Sequence, residues 1–195
     1  MGMPAHARRW TAAEVRELTD ESRHWPRYEL IDGELLVTPA PRPAHQLAVG
    51  ELFRKLSDYV DAERLGLALM SPADLELEAG TVTQPDVFVV PSAFSHDTGP
   101  LREWSQVGGL LLAVEVISPS SAHYDRFSKR AFFQRVGVPE YWVVDSDARA
   151  VERWRPGYRA PETLRERLAW RPERAAAPLV MDLPAFFAKV HGEDR

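Results

Sequence analysis

Leu110-Leu-Leu-Ala-Val-Glu-Val-Ile-Ser-Pro-Ser-Ser121 decides how this chain folds: an apolar run that carries a single carboxylate, Glu115, and ends in a Ser/Pro break. Side chains alternate along a strand, so Glu115 shares a face with Leu111, Ala113 and Ile117, while Leu112, Val114 and Val116 point the other way. Apolar residues on both faces predict a central strand. Burying an ionised carboxylate there costs several kcal/mol or more unless something pairs with it. Glu115 is therefore expected to be protonated, ion-paired or holding a metal. Upstream, Gln84-Pro-Asp-Val-Phe-Val-Val90 repeats the pattern, with Asp86 at the head of a second apolar strand. Two acids on neighbouring strands define a candidate site.

Working outward, Ser118-Pro-Ser-Ser121 offers hydroxyls to cap a helix from about His123 to Val136, which Gly137 ends. Tyr141-Trp-Val-Val-Asp145 reads as another buried strand, followed by strands at Ala150-Val-Glu-Arg-Trp154 and Arg167-Leu-Ala-Trp170. Asp182 opens a short capped helix to Val190. Towards the N-terminus, Thr11-Ala-Ala-Glu14 has the form of a capping box for a helix to about Thr19. Tyr28 to Val37 is a hairpin turning at Asp32-Gly33. Pro43 to about Leu65 is the longest helix, its apolar stripe comprising Val49, Leu52, Phe53, Leu56, Tyr59 and Val60, with Gly66 as its stop. Strands are expected at Leu67–Met70, Asp74–Glu78 and Val82–Val90, and a loop over 91–109. The order of elements predicts one α/β domain over all 195 residues, a central mixed sheet with helices packed on it.

The chain has no cysteine, so disulfides and thiolate metal sites are excluded. Any metal must be held by oxygen or imidazole, which favours Mg²⁺ or Mn²⁺. No apolar stretch approaches the roughly 18 residues that span a bilayer, and the first residues lack a secretory apolar region. A cytoplasmic protein with no membrane partner is the expectation. Net charge is −5 but uneven: residues 1–100 carry 9 basic and 16 acidic groups, residues 101–195 carry 15 and 13. Eight arginines against four glutamates within 149–174 read either as a surface for a polyanion or as a solvated Arg/Glu face. Only Lys55, Lys129 and Lys189 are lysines. Where Arg is the default cation, a Lys is singled out by its capacity to act as a compact donor.

Asp86 and Glu115 together can hold one octahedral cation, which takes one or two carboxylates with waters and phosphate oxygens completing the shell. The competing reading has Asp86 capping a turn and Glu115 paired with an arginine. Phe132, Phe133 and Val136 follow Lys129 at i+3, i+4 and i+7, placing the lysine on the inward helix face. From there it can reach a water on the metal and serve catalysis; the alternative is a surface pair with Asp125 at i−4. His45 heads the apolar stripe of the long helix and reads as a structural histidine or as a metal or phosphate contact. Glu29, on the same side of the hairpin as Ile31, is either a third carboxylate of the site or an edge-strand acid facing water.

As a set these residues resemble the Uma2 family, restriction-endonuclease-like proteins within the PD-(D/E)XK nuclease superfamily. The resemblance covers about Trp10 to Val190. It rests on Tyr28-Glu-Leu-Ile-Asp-Gly-Glu34, Pro41 and His45, Gln84-Pro-Asp86, Val114-Glu-Val-Ile-Ser-Pro-Ser-Ser121, Asp125, Lys129, and Gly137-Val-Pro-Glu-Tyr-Trp-Val-Val-Asp145. It implies a restriction-endonuclease-like fold and a metal-dependent endonuclease acting on phosphodiester bonds, most simply of DNA. It further implies that Asp86 and Glu115 are the metal ligands and that Glu29 and His45 are auxiliary. The superfamily's signature lysine falls two residues after the Glu, where this chain has Ile117; Lys129 then stands as the migrated lysine. Two other classes stay open: a catalytically silent nucleic-acid-binding or scaffold protein on the same fold, and a metal-dependent phosphatase. A homodimer suits an enzyme that cuts both strands of a duplex.

Overall fold

The computed structural model describes residues 8–21, 25–94, 103–119 and 121–193. Helix α1 (Ala12–Glu21) starts where expected because Thr11 and Glu14 cap each other. Glu14 N–H donates to Thr11 Oγ1 at 3.3 Å, and Thr11 N–H to Glu14 Oε2 at 2.8 Å. Strands β1 (Arg27–Ile31) and β2 (Glu34–Thr38) pair antiparallel. Asp32 and Gly33 between them have φ of 53° and 78°, the two left-handed residues that a two-residue hairpin turn needs.

Helix α2 (Pro43–Ala62) ends sooner than its sequence suggests. The left-handed residue that closes it is Arg64 (φ 55°), with Leu65 N–H reaching back to Val60 O at 3.0 Å. Gly66 is not the stop. It opens strand β3 (Gly66–Met70), where a Cβ would overlap the carbonyl of Val90 on strand β4 (Val87–Pro91). The glycine lets two antiparallel strands come together, Gly66 opposite Pro91. The expected strand at Asp74–Glu78 is reduced to one bridge, Leu75 to Thr83, and Val82–Asp86 lies outside β4, bridged to the hairpin through Leu30. Pro85, which has no N–H to give, separates the two pairings. Short 3₁₀ turns, Ser92–Phe94 and Trp104–Gln106, lie within the expected 91–109 loop, whose residues 95–102 lie outside the described residues.

Strand β5 (Leu112–Val116) is followed by one helical segment in three parts: α3 (Ala122–Tyr124), a π-helical turn (Asp125–Lys129) and α4 (Arg130–Arg135). Ser121 does not cap α3 with its side chain; its Oγ instead accepts the N–H of Ser118 at 3.1 Å. Strand β6 (Tyr141–Asp145) then lies parallel to β5, and β7 (Ala150–Trp154) and β8 (Glu162–Leu164) continue antiparallel. Strands β9 (Arg167–Trp170) and β10 (Leu179–Asp182) form a separate ribbon that leads into α5 (Leu183–His191), with Asp182 capping Ala185 N–H.

The main sheet runs β3-β4-β5-β6-β7-β8, so β5 is an inner strand, as its two apolar faces require. Its alternation is realised: Leu112, Val114 and Val116 pack with residues of α2 and α5, while Ala113 joins Phe132 and Phe133 of α4 on the opposite side. Three arginines of the arginine-rich stretch have carboxylate partners, while Arg159, Arg165, Arg167, Arg171 and Arg174 are exposed. Arg153 pairs with Glu162 at 2.6 Å, Arg155 with Glu140 at 3.0 Å, and Arg149 with Glu193. No helix among the described residues is long and apolar enough to cross a membrane.

Candidate active site

The β4–β5 ladder stops at Val87 opposite Val114. One step further the main chain of Asp86 turns away, its carbonyl taken by Ser71 N–H at 3.2 Å. Its side chain replaces the missing rung: Asp86 Oδ2 accepts the N–H of Val116 at 2.9 Å. The sheet therefore opens beside Glu115, and a cleft of about 290 Å³ enters there. Asp86 and Glu115 both line it, with Glu29, His45, Asp125 and Lys129. Every residue singled out in the sequence comes to one place.

Lys129 is the hub. Its Nζ lies 2.8 Å from Glu29 Oε2, 3.0 Å from Glu115 Oε1 and 3.5 Å from Asp125 Oδ1, and the side chain is 6% exposed. Burial works against its charge, but the three carboxylates more than offset burial and hold it protonated, well above the usual lysine range. The expected pair with Asp125 thus exists, inside the protein rather than on its surface. The π turn brings both residues inward, since Asp125 and Lys129 are its first and last residues and both are buried. Such turns interrupt α-helices most often at functional sites.

The other groups are tuned by the same crowding. Burial drives the Glu115 carboxyl well above its ordinary range, against the pull of Lys129 and with the push of Asp125, Asp86 and Glu29. Asp125 is pushed up to about 6, again chiefly by burial. Asp86 goes the other way: burial is outweighed by His45, whose Nε2 is 3.1 Å from Oδ2, and by the Val116 amide. Glu29 points inward rather than to water, and its Oε1 accepts Gln84 N–H at 2.7 Å, tying the hairpin to the Gln84-Pro-Asp86 segment. His45 Nδ1 is buried without a hydrogen-bond partner among the described residues.

The donor set is oxygen and imidazole, as the absence of cysteine dictates. Among the described residues no three acidic or imidazole groups converge as a ready-made cage. Asp86 and Glu115 both line the cleft, and a cation bound between two carboxylates would suit Mg²⁺, which keeps waters and substrate oxygens for the rest of its shell. Burial and the neighbouring carboxylates both work against charge on Glu115 and Asp125, and a divalent cation between carboxylates would offset that. On those grounds the residues fit a divalent metal.

Several lining residues escaped the sequence reading, among them Trp25, Arg27, Arg42 and Asp147. Arg27 stands two positions before Glu29 on β1, hence on the same side of the strand, and its guanidinium reaches the cleft. That i, i+2 relation to an inward acid was the signal available.

The fold is a mixed α/β one whose central sheet opens at a cleft lined by buried acids and a lysine. The chain is similar in structure to a protein described as a putative nuclease belonging to DUF820 from Anabaena variabilis, with a TM-score of 0.71 at 20% identity, over 90% of this chain and 98% of that one. No curated protein matches the sequence. The Uma2 family model, described as "Putative restriction endonuclease", matches residues 12–183, and the chain belongs to that family.

Proposed function

We propose that the protein is a divalent-metal-dependent endonuclease that hydrolyses phosphodiester bonds of DNA. The observation that carries this reading is the meeting of Asp86 and Glu115 in one cleft, at the opening of the sheet, against the buried ammonium of Lys129. Bound there, Mg²⁺ or Mn²⁺ would polarise the scissile phosphate and lower the pKa of a water. Asp86, kept ionised by His45 and the Val116 amide, supplies a carboxylate ready to bind. Glu115 supplies the second and gives up its proton in doing so. Lys129, held by Glu29 and Asp125, would turn its ammonium to the attacking water and to charge accumulating on the phosphate once Glu115 is drawn to the cation. Glu29 and His45 then hold the residues that touch substrate or metal. The protein would act as a single domain in the cytoplasm, and a homodimer would present two such clefts to a duplex.

A second reading is favoured by one specific observation. Ile117 occupies the usual lysine position, and the ammonium that replaces it already has three carboxylate partners. A nuclease fold kept for nucleic-acid binding would look the same. Supercoiled plasmid incubated with Mg²⁺, Mn²⁺ or EDTA separates the two, for wild type beside Asp86→Asn, Glu115→Gln and Lys129→Ala. Metal-dependent nicking lost in all three folded variants supports the enzyme. A folded wild type that binds DNA, shows no Mg²⁺-dependent thermal shift and leaves every plasmid intact supports the silent protein.

A further inference from the structure

The cleft is a place where an anionic strand must approach four buried carboxylates, so something at its mouth has to attract phosphate. Lys129 is fully engaged. Arg27 is not. Its single ion pair among the described residues, with Asp86 Oδ1, is 3.8 Å long, beyond hydrogen-bond reach. Its side chain is 17% exposed, neither buried in the core nor loose in water. The guanidinium lies over the ring of Trp25, 4.5 Å from the centroid, which fixes it by a cation–π contact while leaving its in-plane N–H groups unspent. Trp25, Arg27 and Gln84 line both the carboxylate cleft and an adjoining groove that runs past Asp74 and Trp104. The arginine therefore stands on the wall between the reacting centre and a path leading away from it.

Resting on the nuclease reading above, we infer that Arg27, seated on Trp25, binds a backbone phosphate of the nucleic-acid strand next to the one being cut. The planar fork of N–H donors matches two non-bridging phosphate oxygens. Asp86, close but not bonded, keeps the arginine aimed at the cleft without saturating it. The strand would then run from the carboxylate cleft over Arg27 into the adjoining groove. Trp25 acts as a positioning residue and Arg27 as the group that touches substrate.

The test is equilibrium binding of a fluorescein-labelled single-stranded and a labelled duplex oligonucleotide. It is measured by anisotropy in EDTA across a salt series, for wild type, Arg27→Gln, Arg27→Lys and Trp25→Leu, with thermal melts on each. A lost phosphate contact lowers the slope of log K against log salt by about one. Arg27→Gln should therefore bind about tenfold more weakly at moderate salt with a slope shallower by about one. Arg27→Lys should recover the slope and only part of the affinity, and Trp25→Leu should keep the slope while losing affinity. Wild-type binding whose slope and affinity are unchanged in a folded Arg27→Gln overturns the assignment of Arg27 alone. A wild type that binds neither oligonucleotide overturns it together with the nuclease reading.

Discussion

At Asp86 and Glu115 the expected outcomes are chemical before they are structural. Removing even an outer partner of a metal ligand costs about 10- to 100-fold, so Asp86→Asn or Glu115→Gln should lower metal-dependent nicking by at least about a hundredfold. Far-ultraviolet circular dichroism should show both variants folded. Lys129→Met behaves differently. It strands Glu29, Glu115 and Asp125 without their cation, and breaking a buried pair in this way costs roughly 3–5 kcal/mol, readable by urea denaturation at neutral pH. The pH dependence follows from Asp125, whose carboxyl moves from 3.8 to about 6 on folding. A raised carboxyl pKa favours the fold while the group is protonated, so this contribution is complete below about 3.8 and is lost as pH rises through about 6. In EDTA, the melting temperature of Asp125→Asn minus that of wild type should grow between pH 4 and 6.5; a difference that stays flat would mean Asp125 is not the group responsible. Both acids were legible in the sequence because a charge in an apolar strand is an anomaly, and Lys129 because its helix face is apolar. Of the partners they meet, the Lys129–Asp125 pair alone was legible, from its i,i+4 spacing. The ammonium's three partners come from β1, β5 and its own helix, and no spacing rule links Glu29 to Lys129 across a hundred residues.

The elements tell a similar story. The hairpin, α1, β5, β6 and α5 carry local signals, namely paired turn residues, caps or uninterrupted apolar runs, and these survive into the structure. The π turn has no such signal, since its wider winding depends on what Asp125 and Lys129 meet inside. Strands β8 and β10 are short and half exposed, so their pattern is weak, and the alternating run at Asp74–Glu78 finds no neighbour to pair with beyond one bridge. The end of α2 separates two roles that glycine often combines. Arg64 adopts the left-handed conformation that glycine takes without cost, so Arg64→Gly should stabilise the protein by about 0.5–1 kcal/mol. Gly66→Ala should do the reverse and more. With φ at 149° and Val90 O in the way, it should lose at least about 3 kcal/mol, or fail to accumulate as folded protein. Denaturant titration of the two variants side by side checks both.

On the scale of the whole molecule, a net charge of −5 on a protein proposed to handle a polyanion makes local placement of cations decisive. Arg149, Arg153 and Arg155 are paired with glutamates, and Arg27 is a cation placed at the cleft itself. Mg²⁺ should raise the melting temperature, and by more at pH 8 than at pH 5, because Glu115 must lose its proton to bind. A thermal-shift titration at the two pH values reads this directly.

The site is assembled from four separated stretches of chain, around Glu29, Asp86, Glu115 and Lys129, and β5 reaches its inner position only when β6 lies beside it. A nascent chain emerging from the ribosome therefore exposes each acid long before it can have a cutting centre. Until Tyr141 to Asp145 has been made and has docked, β5 is an edge strand, paired with β4 on one side alone. If the protein cuts DNA as proposed, a product truncated before that strand should be inert, which a plasmid-nicking assay of the 1–140 fragment reads.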